Sequence, residues 1–265
     1  MGNQDYTIKA VVFDLDGVIY YGNQLAEGAK ETIGGIQNKG LNVYYLTNNS
    51  AKSRQQIADK LINLGIKTNE DQIFSSGYAS AVYAKNLKEK NQRNYRMLII
   101  GTEKLKKEFY NLGLKIVENP PCDYLVVGYD TSFNYDRICL GLDTLRSGAK
   151  FMACNLVANY PVEDGNLQPG CGAMVGAISA AAQRKPDIVI GKPKSIMPKL
   201  LAKTSGLNPQ EILMVGDEPQ YDIAMANRFG CQSVLIAKDQ IKKSINTKLK
   251  STYTINTLTD LLSII

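Results

Sequence analysis

Short apolar runs rich in β-branched residues alternate with longer amphipathic stretches along almost the whole chain. The runs Ala10–Phe13, Asn42–Leu46, Met97–Ile100, Tyr124–Val127, Phe151–Ala153, Ile188–Ile190, Ile212–Val215 and Ser233–Ile236 predict strands. Between them, Gly28–Asn38, Ser53–Leu64, Ala79–Glu89, Lys104–Leu112, Asp136–Ser147, Ala173–Gln183, Ile196–Ser205 and Tyr221–Phe229 carry helical patterns. Alternation of this kind builds βαβ units, so the expected class is α/β with a mainly parallel sheet. There is no internal repeat and no low-complexity linker.

Polar residues fall at the ends of four of these strands. Asp14 follows Val-Val-Phe, and Asp16-Gly17 comes directly after it; Thr47-Asn48-Asn49-Ser50 follows Val-Tyr-Tyr-Leu. Gly191-Lys192-Pro193 follows Ile-Val-Ile, and Gly216-Asp217 follows Leu-Met-Val. Residues two apart in an extended chain point the same way, so Asp14 and Asp16 are expected to face one small volume. Two anions that close need a cation, strong donors or a proton. Each piece has a plain structural reading as a strand exit, helix cap, loop or turn. Ligands of open α/β sheets, however, bind beyond the carboxyl ends of the strands. If the four strands share a sheet, carboxylates, a hydroxyl, amides and an ammonium converge there as a magnesium and phosphate site.

Composition narrows the chemistry. The 265 residues, 44% hydrophobic and 21% charged, suffice for one large or two modest globular domains. The chain has no histidine, which excludes Ser-His-Asp and Cys-His catalysis and histidine-ligated metals. Acid–base work then falls first to carboxylates, and any metal to oxygen ligands, which favours magnesium. Five cysteines without close spacing suit reduced thiols, and with a polar Met1–Lys9 lacking a signal-type apolar stretch they lead us to expect a cytoplasmic protein. The net charge of +6 is mild and spread out, with Lys104, Lys106, Lys107, Lys242 and Lys243 expected on solvated helix faces. Neither a nucleic-acid partner nor a membrane partner is expected.

The four motifs, Asp14-Leu15-Asp16-Gly17, Thr47-Asn48, Lys192, and Gly216-Asp217 continuing to Asp222, resemble those of the haloacid dehalogenase (HAD) superfamily over nearly the whole length. Thr47-Asn48-Asn49-Ser50 and the long insert before Lys192 look like the NagD-like, p-nitrophenylphosphatase branch. That resemblance implies a Rossmann-like catalytic core from residues 1–80 and 184–265, with an inserted α/β cap over 81–183. It implies a magnesium-dependent phosphatase of small phosphate monoesters, working through an aspartyl phosphate. Asp14 would be the nucleophile and Asp16 the acid and base. Thr47, Asn48 and Asn49 would meet the phosphate. Lys192 would neutralise its charge. Magnesium would be held by the side chains of Asp14 and Asp217 and the backbone carbonyl of Asp16, with Asp222 supporting that shell.

Some positions depart from the family pattern. Glu218 and Tyr221 stand where many relatives have Arg or Asn and Thr. In the insert, Ala153-Cys154-Asn155-Leu156-Val157 keeps the asparagine of the relatives' Ala-Thr-Asn-Pro-Asp but not the Pro-Asp after it. Asn155 is therefore a candidate substrate contact, while the substrate itself is left open among nucleotide, sugar and related small phosphates. The competing readings are a catalytically weak binding or regulatory protein of the same fold, and a phospho-acceptor domain. Chain length and Asp16, placed to protonate a leaving group, favour turnover. Oligomeric state is equally open, with a homodimer through an apolar face of the insert as one outcome.

Overall fold

The computed structural model describes residues 7–161, 166–237 and 249–265; Lys242 and Lys243 lie outside them. The chain divides into two compact units. The first comprises Met1–Thr47, Ile57–Phe74 and Lys192–Ile265, and the second Asn48–Gln56 with Ser75–Gly191. The insert expected over residues 81–183 falls within the second.

In chain order the structure begins with β1 (Ala10–Phe13), the hairpin β2 (Tyr20–Tyr21) and β3 (Gln24–Leu25), α1 (Ala29–Asn38), β4 (Asn42–Thr47), α2 (Arg54–Asn63) and β5 (Ile73–Ser75). It continues through α3 (Ser76–Asn91), β6 (Arg96–Ile100), α4 (Glu103–Asn111), β7 (Lys115–Val117), β8 (Tyr124–Val127), α5 (Tyr135–Arg146) and β9 (Lys150–Ala153). The hairpin β10 (Asn159–Pro161) and β11 (Leu167–Pro169) leads to α6 (Cys171–Ala182) and β12 (Ile188–Val189). Last come α7 (Ile196–Ser205), β13 (Ile212–Gly216), α8 (Ala224–Phe229), β14 (Gln232–Ile236) and β15 (Tyr253–Ile255).

One sheet runs β15-β14-β13-β1-β4-β5, with β1 parallel to both β13 and β4. All four residues of β1 are buried, as a central parallel strand covered on both faces requires. The core around it includes Val11, Phe13, Leu15, Ile33, Ile36, Tyr45, Leu61 and Val215. Phe13 lies level with Val215 on one side and Tyr45 on the other. That register brings Asp14, Gly216-Asp217 and Leu46-Thr47 out along the same sheet edge. The second unit has its own parallel sheet, β12-β9-β8-β6-β7.

Two expectations need correction. The strand before Lys192 does not join the sheet of β1: Ile188 and Val189 pair with Met152 and Ala153 of β9. The chain returns to the first unit only at Lys192 itself. The helix expected from Tyr221 starts as a π-helical turn, Pro219–Ile223, before α8. Proline at its head lacks an N–H to satisfy and suits that first position. Among the described residues, no helix is long and apolar enough to cross a membrane.

Candidate active site

Strand β1 ends at Phe13, so the alternation of an extended chain does not govern Asp14 and Asp16. Instead the backbone folds back at once: the Leu15 carbonyl accepts from the amides of Val18, Ile19 and Tyr20. Gly17 takes φ +84°, a conformation that favours glycine, and its N–H donates to the Tyr20 carbonyl. The turn gives the two carboxylates different surroundings. Asp14 is buried and its Oδ1 accepts from the Leu15 amide at 2.7 Å, while Asp16 is exposed. Tyr20, buried beside them, has its phenol pKa raised by burial and then by Asp16 and Asp14.

Lys192 Nζ lies 2.7 Å from Asp14 Oδ1 and 2.7 Å from Asp222 Oδ1, with only 3% of its side chain exposed. Asp222 sits in the π-helical turn, fully buried, and its Oδ2 accepts from the Glu218 amide at 3.1 Å. π-Turns of this kind recur at functional sites. The Glu218 side chain, one of the departures from the family pattern, is exposed. Asp217 leaves the end of β13 and is buried. Carboxylate oxygens of Asp14, Asp217 and Asp222 all lie within 4.8 Å of one another.

These charges act on each other strongly. Burial raises the Asp14 pKa well above the usual carboxylate range, and Asp222 and Asp217 add to that; Lys192 opposes it. Asp222 is also raised, first by burial. Burial alone would lower the pKa of Lys192, but the paired Asp14 and Asp222 carry it above the ordinary lysine value. One ammonium thus serves a cluster of three carboxylates and pairs with two of them, which leaves an excess of negative charge. Three buried carboxylates around one small volume match the oxygen ligands that a hard divalent cation takes, and such an ion would supply the missing charge. The residues present fit a divalent metal.

The other anticipated residues divide between the two units. Thr47 closes β4 in the first unit and is buried. Asn48, Asn49 and Asn155 belong to the second. Asn49 Oδ1 accepts from the amides of Ala51 and Lys52, closing a turn. Asn155 is 2% exposed, and its Nδ2 donates to the Asn48 carbonyl at 2.6 Å and to Ser76 Oγ at 3.3 Å. Its Oδ1 accepts from the Val157 amide. Sequence reasoning passed over Ser76, which reads as an ordinary residue at a helix start; it placed Gly216 in a motif, but no local pattern announces the packing of Gly216 against Asp222.

Two family profiles match the chain, one described as haloacid dehalogenase-like hydrolase over residues 11–115 and one as HAD-hydrolase-like over residues 189–261. Phosphoglycolate phosphatase 1A, chloroplastic, of Arabidopsis thaliana is 33% identical over 251 residues, spanning 87% of this chain and 68% of that protein. 5'-Nucleotidase YutF of Bacillus subtilis (strain 168) is 31% identical over 257 residues, spanning 96% of this chain and 97% of its own length. Among solved structures, the p-nitrophenyl phosphatase from Archaeoglobus fulgidus superposes with a TM-score of 0.90 at 27% identity, covering 98% of this chain and 100% of that one.

Proposed function

Because the chain belongs to the haloacid dehalogenase-like hydrolases and is a phosphatase of that family, we propose that it hydrolyses small phosphate monoesters with magnesium through an aspartyl phosphate on Asp14. The observation that carries this reading is the buried set of Asp14, Lys192, Asp217 and Asp222 at the ends of β1 and β13. Asp14 and Asp217 would hold the metal through their side chains and Asp16 through its carbonyl. Bound there, magnesium supplies charge neutralisation for both the nucleophile and the phosphoryl oxygens.

The chain's own residues divide the remaining work. The Asp14 carboxylate attacks phosphorus as the ester oxygen leaves, which splits one hard displacement into two easier ones. Asp16, outside the buried cluster, protonates the departing oxygen and then takes a proton from the water that cleaves the acyl phosphate. Lys192, fixed between Asp14 and Asp222, offers its ammonium to the transferring phosphoryl group. Thr47 Oγ and the Asn48 amide donate to the phosphoryl oxygens. Asp222 keeps Lys192 in place and would support the residues that hold the metal.

The insert over residues 81–183 would set which leaving group is accepted, as specificity segments of such enzymes do. The substrate class is a small soluble ester, in keeping with relatives named for phosphoglycolate, nucleotides and nitrophenyl phosphate. The free cysteines suit a reducing compartment, which we take to be the cytoplasm. The test is phosphate release from a panel of such esters, with and without magnesium, by wild type and Asp14→Asn. Magnesium-dependent release that vanishes in the variant is expected; a folded wild type that releases none from any ester overturns the reading.

A further inference from the structure

Building on the phosphatase reading, we propose that Asn155 and Ser76 are positioning residues, which hold the Asn48 peptide for phosphate rather than touching the substrate themselves. The Asn48 carbonyl accepts two bonds, from Asn155 Nδ2 at 2.6 Å and from Ser76 Oγ at 2.8 Å. The next carbonyl, of Asn49, accepts from Ser76 Oγ at 3.1 Å and from the Gly77 amide at 3.4 Å. All of these residues lie within the second unit. On its other side Asn48 follows Thr47, the last, buried residue of β4. The peptide that carries the Asn48 N–H is thereby fixed between a strand end and a pair of held carbonyls.

The same cluster reaches the residue before Lys192. An added Cβ on Gly191 would come within 2.4 Å of Asn48 Oδ1, 2.7 Å of Asn155 Cβ and 2.9 Å of the Cys154 carbonyl. The Gly191 amide donates to that Cys154 carbonyl at 2.8 Å. Asn155 therefore stands where the chain leaves the second unit for Lys192 and against the segment by which it enters from Thr47. Its two side-chain donors go to Asn48 and Ser76, its Oδ1 accepts from the Val157 amide, and it is buried. Both its N–H donors are thus committed to holding the Asn48 carbonyl and Ser76, which makes it a positioning residue for the Asn48 peptide.

The test compares wild type, Asn155→Ala, Ser76→Ala and the double variant. Kinetics are measured on p-nitrophenyl phosphate, a nucleoside monophosphate and phosphoglycolate, and orthophosphate binding is measured by calorimetry. Misplacement of a reacting group by about 1 Å costs about 10²-fold, so kcat/KM in Asn155→Ala is expected to fall by about that factor, equally on all three esters, with orthophosphate bound more weakly. Because both side chains act on one carbonyl, the double variant is expected to lose less than the product of the single losses. A loss that differs from ester to ester, singles whose effects multiply, or unchanged kinetics and binding would each overturn the proposal. Should Asn155→Ala fail to fold, Ser76→Ala reads the same carbonyl. A wild type that binds orthophosphate but turns over no ester defeats the phosphatase reading, and the binding series still decides the role of Asn155 and Ser76.

Discussion

The Cα of Gly216 is packed against the carboxyl group of Asp222: a methyl group there would lie 2.3 Å from both Cβ and Cγ of the aspartate. Only a residue without a side chain lets the end of β13 pass this close to the turn that carries Asp222. Gly216→Ala is therefore expected to push Asp222 off Lys192. Overpacking of a full core costs about 1–3 kcal/mol, readable by denaturant unfolding. Turnover should fall as well, since the methyl moves the turn that holds Asp222 against Lys192. A Gly216→Ala protein with wild-type kinetics would show that Asp222 does not position Lys192.

Lys192→Met removes the ammonium from between two buried carboxylates. Breaking a buried pair by removing one partner costs about 3–5 kcal/mol, because the other charge stays buried without compensation. Here both Asp14 and Asp222 lose it, so without metal the variant should melt well below wild type. Phosphate release should drop by about 10²–10³, the usual loss for one charge-stabilising donor. Equal melting temperatures for the two proteins would mean that the 2.7 Å contacts contribute nothing net.

Magnesium should raise the melting temperature of the wild type and do so far less in Asp217→Asn. A ligand that binds only the folded state stabilises it by about 2.7 kcal/mol at 100 times its dissociation constant. The cluster of Asp14, Asp217 and Asp222 is the set of described residues that could hold such an ion. Chelation should return the wild type to its lower melting temperature, and calcium, with its larger coordination shell, should stabilise without restoring turnover. An identical magnesium response in Asp217→Asn would remove this aspartate from the site.

Much of this arrangement could be read from the chain because strand exits are local. Val-Val-Phe before Asp14 and Leu-Met-Val before Asp217 announce both the strand and the polar residue beyond it, and β1 and β13 pair in register. What stayed hidden depends on contacts distant in sequence. Nothing near Asp222 says that it bonds Lys192, thirty positions away. The apolar run before Lys192 reads like the other three, yet it pairs with β9 in the second sheet. Partner choice between sheets is not written in one strand's pattern. Strands of two or three residues, such as β2, β3 and β7, are too short to show a period. Asn155 was recognisable as a candidate, but its burial against the Asn48 carbonyl emerges only when residues 107 positions apart meet.

Tyr45 carries a polar atom that the described residues leave unused. The residue is fully buried in β4, tilted against Phe13 with ring centroids 6.5 Å apart, and its hydroxyl has no hydrogen-bond partner among the described residues. Burial accordingly pushes its phenol pKa up. Leaving a buried hydroxyl unsatisfied costs about 1–3 kcal/mol, and phenylalanine keeps the ring without that group. Tyr45→Phe should therefore be more stable than wild type by about 1 kcal/mol in urea unfolding, with turnover unchanged. A destabilised variant would mean that the hydroxyl has found a partner in solution.

Asp187 should give the second unit an acid-sensitive increment of stability. Its Oδ2 accepts from the Phe151 amide at 2.7 Å and from Arg184 Nη2 at 2.7 Å, tying the approach to β12 onto β9. Burial works to raise its pKa, but the Phe151 amide and Arg184 outweigh it, so the folded carboxyl sits below the ordinary aspartate value. The unfolded chain then takes up a proton more readily than the folded one. The stabilisation is fully present above the unfolded value, about 3.9, and is lost as pH falls through the lower folded value. The pair is 37% exposed on both sides, so solvent screening keeps the effect small. Other carboxylates titrate in the same range, and the difference between wild type and Asp187→Asn isolates this one. Wild type should be the more stable at pH 6, with the gap narrowing towards pH 3. A gap that stays constant from pH 6 to pH 3 would show that the ionised carboxylate is not what holds Phe151 and Arg184.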